Sequence, residues 1–121
     1  MPLSRLAAEF AAEIRNHDWS DAPYRRDRAG HDRSREGRNG PRSPQLSPAE
    51  TGAVRTNVMW VTAQVLLHAD PNLDLLEFAK ECGVEPDFLF RSSGKPSGSL
   101  WAGIRTVDGQ IARPGSWQVD K

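Results

Sequence analysis

The feature that most constrains this fold is a gap in the material from which a core is built. Between Tyr24 and Leu46 the one aliphatic residue is Ala29, in a stretch that reads RRDRAGHDRSREGRNGPRSPQ. Residues 25–42 carry seven arginines against Asp27, Asp32 and Glu36, a local net of +4. Gly30, Gly37, Gly40, Pro41 and Pro44 interrupt any regular element there. Such a segment buries too little apolar surface to offset its ordering entropy, so the sequence predicts a disordered, arginine-rich linker over 20–46. Whatever folds must come from the flanks: an amphipathic helix within 1–19 and a small domain over 47–121.

The N-terminal flank predicts a helix over about 4–17. Ser4 is a capping residue, and Leu3, Leu6, Ala7, Phe10 and Ile14 recur at helical spacing. The C-terminal flank opens with Ser47-Pro48-Ala49-Glu50: a cap, a proline at the first helical position, and a glutamate that closes a capping box. That helix should run to about Ala69. Its expected buried stripe is Val54, Val58, Val61, Val65 and Leu66, widened by Met59, Trp60 and Leu67. Asp70-Pro71 restarts the chain, Leu73, Leu76, Ala79 and Cys82 mark a further helix, and Gly83 ends it in a left-handed turn. Asp108-Gly109 then predicts a hairpin of 100–107 with 110–113. The expected fold class is therefore mainly α with a small C-terminal β-hairpin.

Hydrophobic content is 37 %, below the roughly 45–50 % of globular chains, in keeping with a part that does not pack. Sixteen basic and sixteen acidic residues cancel, so no overall field draws in nucleic acid or a membrane. The lone Cys82 rules out an internal disulfide or a cysteine zinc cluster and fits a reducing compartment. The most apolar run, VMWVTAQVLLHA at 58–69, is short of the ~20 residues a bilayer span needs. The expectation is a cytoplasmic protein without a membrane partner.

One stretch, FAKECGVEPDFLFR at 78–91, has the rhythm of a DNA-reading corner. Ala79 is a small residue where two helices approach, Gly83 turns the chain, Val84 anchors the corner, and Pro86 opens a second helix with Leu89 turned inward. The stretch resembles the bacterial-repressor form of the helix-turn-helix. With the hairpin that follows, it is similar to a winged helix-turn-helix core. That likeness implies nucleic-acid contacts through Arg91, Lys95, Arg105 and Arg113. The reading positions themselves fall on Pro86, Asp87, Phe88 and Arg91, of which Arg91 alone suits a guanine edge. From Asp70 to Arg91 six acids face Lys80 and Arg91, a net of −4 that opposes phosphate binding.

Phe88 and Phe90 suggest a different use, because alternate residues of a short helix do not share one core face. With Arg91, and with Trp19 and Tyr24 from the N-terminal flank, they are the candidate contacts for a protein partner, since aromatic and arginine side chains dominate interface energetics. Trp19 has a structural alternative, folding back on the first helix. His17, His31 and His68 are scattered and form no metal spacing, and no nucleophile–base pair or phosphate-cradling loop is present. No cofactor and no catalysis are expected. The stretches HDWSDAPYRRDRAGH and TNVMWVTAQVLLHADPNLD, with thirteen arginines to three lysines, resemble small accessory proteins of actinobacterial phages. That resemblance implies a regulatory or host-directed binding role.

Overall fold

A computed structural model describes residues 3–24, 26, 29 and 46–116. Most of the arginine-rich stretch and the last five residues, including Trp117, lie outside the described residues. Among the described residues, five helices and one two-stranded antiparallel sheet follow in chain order: α1 (Arg5–Asn16), α2 (Pro48–Ala69), α3 (Leu75–Glu81), α4 (Pro86–Leu89), α5 (Ser99–Ala102), β1 (Thr106–Val107) and β2 (Gln110–Ile111). A single 3-10 turn, Ala22–Tyr24, follows α1. The protein is mainly α with a small C-terminal hairpin, as its sequence predicts.

The helix starts are where the caps put them. The Ser4 hydroxyl accepts from the Ala7 N–H, and Ser47 and Glu50 form a reciprocal capping box. In that box the Ser47 backbone N–H, and then its hydroxyl, hold the Glu50 carboxyl below its usual value. The third helix begins later than Asp70-Pro71 suggests. Asp70 caps the end of α2, and the start signal passes to Asp74, whose carboxylate accepts from the Glu77 N–H. Gly83 ends α3 with φ 89°. It is also closely flanked: a Cβ there would stand 3.2 Å from Arg15 Cγ, and the Arg55 guanidinium donates to the Gly83 carbonyl at 3.4 Å. Two arginines, from α1 and α2, thus meet the negative end of α3.

The core lies where α1, α2 and α3 meet, around Phe78, Met59, Leu67 and Leu75, all fully buried. α1 packs on its own chain, placing Ala7, Ala11 and Ile14 inside. An ion pair, Arg15 to Glu81 at 3.3 Å, ties it to α3 from the surface. Two faces differ from the expected ones. In α1, Leu6 and Phe10 are exposed, although they share the apolar stripe. In α2, the inward row is Thr56, Met59, Ala63 and Leu67, whereas Val61 and Val65 face out. The reason is steric. Alanines let α1 approach closely, and the bulkier neighbours are left beside the contact rather than within it.

The C-terminal part is shorter in strand and richer in helix than predicted. Residues 99–102 form a helical turn, and the ladder pairs Thr106 with Ile111 and Val107 with Gln110. The turn itself is as expected: Asp108 (φ 53°) and Gly109 (φ 76°) supply the two left-handed residues of a type I′ hairpin. What holds this hairpin is α2. The buried Gln64 side chain donates to the carbonyls of Arg105 (3.2 Å) and Ala112 (3.1 Å) and accepts from the Arg105 N–H (2.9 Å). One turn earlier on α2, Trp60 Nε1–H donates to the Leu100 carbonyl at 2.9 Å. Its indole lies against Gly103, where a Cβ would come within 2.1 Å of the ring.

Candidate protein-binding groove

The inward row of α2 continues toward the helix start through smaller residues, and there α4 does not cover it fully. The result is an apolar groove of about 300 Å³ between the first half of α2 and α4. Its α2 wall is Ala49, Gly52, Ala53 and Thr56, spaced i, i+3, i+4 and i+7 so that they share one side of the helix. Trp60 closes one end. Phe88 stands on the opposite wall and meets the Trp60 ring edge-on, with centroids 5.4 Å apart and planes at 77°. Edge-to-face pairs of this kind contribute about 0.5–1.5 kcal/mol beyond their burial. The Trp60 N–H is already committed to Leu100, so the indole is held in place without a ligand, and Phe88 packs on its edge.

Glu85 is the one charged residue that lines the groove. It precedes Pro86, which starts α4, and its Cγ would stand 3.8 Å from a Cβ placed on Gly52. The nearest large cation on α2, Arg55, is turned toward Gly83. The groove therefore offers apolar walls, two pre-set aromatic rings and a single carboxylate. Apolar clefts with few placed polar groups are the usual form of a binding site. Among the described residues, no group of three or more His, Cys, Asp or Glu is placed to hold a metal ion.

The five expected protein-contact residues are not gathered into one site. Phe88 is in the groove, half-buried. Phe90 is outside it. α4 ends at Leu89, and Phe90 continues extended (φ −129°, ψ 148°) in a bridge to Pro96, half-buried against the core. Both phenylalanines therefore pack on one core because the helix stops between them, a correction to the expectation that alternate residues here would not share a core face. Arg91 is exposed at the start of the next turn, where its N–H donates to the Lys95 carbonyl. Trp19 folds back: its indole N–H donates to the Ile14 carbonyl at 2.9 Å and its ring lies 4.3 Å from that of His17. This occupies one of the free carbonyls at the end of α1. Tyr24 is exposed on the 3-10 turn.

The four basic residues of the alternative fall into two pairs. Arg91 and Lys95 share a turn after α4. Arg105 and Arg113 flank the base of the hairpin, where the Ala112 N–H donates to the Arg105 carbonyl, and the Arg105 Nε is buried. At the corner, Ala79, Val84 and Leu89 are buried and Gly83 is left-handed. The helix that would enter a DNA groove, α4, is a single turn of four residues.

The groove's α2 wall is what the sequence reading missed. The one signal for it is Gly52, a glycine inside a strongly capped helix, flanked by alanines at the spacing that makes a bare strip. Nothing among protein-family models, curated proteins or solved structures matches this chain. No described helix is long and apolar enough to cross a membrane.

Proposed function

We propose that this protein acts by binding another protein, without catalysis, through the groove between α2 and α4. The observation that carries this reading is the Trp60–Phe88 pair fixed at the end of an apolar trough walled by glycine and alanine. Bare walls let a partner side chain or helix approach closely, and pre-set rings limit the entropy lost on binding. Glu85 at the rim selects a cation beside the partner's apolar anchor. The partner class is an apolar segment with a flanking lysine or arginine. A regulatory binding role of this kind is also what the likeness to phage accessory proteins implies.

The test is selection of peptides from a random library on the full-length protein, followed by binding measurements with Ala53→Trp. Ala53 is exposed at the groove wall, so tryptophan there fills the trough without entering the core. The expected peptides carry an apolar anchor next to Lys or Arg and bind the variant at least ~10-fold more weakly, a loss of about 1.4 kcal/mol. Equal binding to both proteins would overturn the assignment. The nucleic-acid alternative is supported by the Arg91–Lys95 turn and is read in parallel from the anisotropy of random duplex DNA at two salt concentrations. Salt-sensitive binding that Ala53→Trp leaves unchanged, and that Arg91→Ala with Lys95→Ala abolishes, would favour it.

A further inference from the structure

The opposite side of α2 carries a second apolar surface that the groove does not use. Val61 is 72 % exposed and Val65 50 %, and beside them α1 presents Leu6 (58 %) and Phe10 (43 %). Phe10, Val61, Thr62, Val65 and Leu66 line a shallow, almost wholly apolar trough of about 250 Å³ between the two helices. This outer face of α2, through Val54, Val58, Val61, Val65 and His68, holds no Asp, Glu, Lys or Arg over about four turns. A helix that is apolar on every side is ordinarily covered on every side.

We propose that a second copy of this chain covers it, in a two-fold dimer with the outer faces of α2 packed together. Three observations select a like partner. The chain has a formal net charge of zero at pH 7, so two copies meet without mutual repulsion. The charged residues beside the patch on α1 are of both signs: Arg5 and Glu9 pair at 3.7 Å, and Glu13 follows Phe10 by three residues. A rim of both signs complements itself under two-fold rotation, whereas a strongly charged partner would find no opposing field. The area also fits. At these exposures the four large side chains present about 400 Å² of apolar surface, and with their half-buried neighbours two such faces bury on the order of 1,000–1,200 Å² together. That is the size of weak, transient interfaces, so the dimer is reversible. The proposal is independent of the groove, which stays open in the dimer.

Sedimentation velocity of the full-length protein across about 5–500 µM tests it, with a rise from one copy to two expected within that range. Val61→Glu should leave the protein monomeric throughout. Because Val61 is already the most exposed apolar residue named here, that variant keeps the thermal midpoint and circular dichroism of the dilute wild type. Val61→Cys gives a second readout. The only native thiol, Cys82, is buried, so mild oxidation should yield a covalent dimer through position 61 alone. A monomer at every concentration, or association that Val61→Glu leaves unchanged, would overturn the proposal. Loss of peptide binding in the groove with normal dimerisation would leave it standing.

Discussion

Gln64 is a polar residue buried on α2, and its amide supplies the Arg105 N–H and the Ala112 carbonyl with partners that the short hairpin lacks. Three hydrogen bonds from one buried side chain hold Arg105 and Ala112. Gln64→Leu keeps the volume but strands the Arg105 N–H and the Ala112 carbonyl, while the Arg105 carbonyl keeps the Ala112 N–H; unpaired buried polar groups cost about 1–3 kcal/mol each. The expected loss is about 2–4 kcal/mol in urea unfolding, with hairpin amides losing hydrogen-exchange protection first. Glycines make the contrast of sign. Gly103→Ala drives a methyl into the Trp60 ring and should cost about 2–3 kcal/mol. Gly52→Ala meets only ordinary contact with Glu85 and should raise stability by about 0.5–1 kcal/mol while making the groove shallower. Cys82 is a proton-linkage probe. Burial pushes its thiol up to about 12 from an ordinary value of 9.0. The native state then holds that proton more tightly than the unfolded chain does, so the contribution is intact below pH 9 and is lost as pH rises toward 12. The stability difference between wild type and Cys82→Ala should narrow over that window, a comparison that cancels the other titrating groups. A native thiol that alkylates at pH 8 as fast as the denatured one would contradict the burial.

At the scale of elements, what the sequence disclosed depended on whether a signal was local. The cap at Ser47 with Glu50 and the turns at Gly83 and Asp108-Gly109 were legible because their chemistry is contained in about four residues, whereas Asp70-Pro71 reads as a helix start and instead caps the end of α2. Facing was not legible in α2. A helix with valines on one side and Met59, Ala63 and Leu67 on the other has no preferred apolar direction to read, and tertiary packing chose the side that α1 and α3 approach most closely. The same competition divided α1, where the alanine row with Ile14 won over Leu6 and Phe10. The groove was half legible: Phe88 stood out, but its partner Trp60 looked like core, because the contact between them spans 28 residues of sequence and no local pattern encodes it. Side chains displaced from the core contact are those that line the proposed dimer face. An element-scale prediction separates the two rows. Ile14→Ala removes a buried anchor and should cost about 2–4 kcal/mol, whereas Leu6→Ser, on the exposed row of the same helix, should cost the dilute protein no more than about 1 kcal/mol.

For the molecule as a whole, the described residues on either side of the arginine-rich stretch meet. The Leu46 N–H donates to the Ser20 carbonyl, so the last residues before the stretch and the first after it are hydrogen-bonded neighbours. α1 and the helices that follow therefore belong to one core, and the arginine-rich stretch joins two ends that this bond holds together. Its side chains include no candidate for that core. Replacing residues 25–45 by about four Gly and Ser residues shortens the loop closed by that bond roughly threefold. Closure entropy grows as about (3/2)RT ln n, so the shortened protein should be more stable by up to about 1 kcal/mol and unfold in the same cooperative step. Removing residues 1–45 is the opposite case. It takes Ala7, Ala11 and Ile14 out of a small core and exposes Phe78 and Ala79, so the remainder should lose its cooperative transition and regain it when a peptide of residues 1–24 is added. Fluorescence-monitored urea unfolding of the two variants decides the matter. A loop-shortened protein that fails to fold would show that the arginines contribute to the native state, and an N-terminally truncated one that folds unaided would make α1 a dispensable cover.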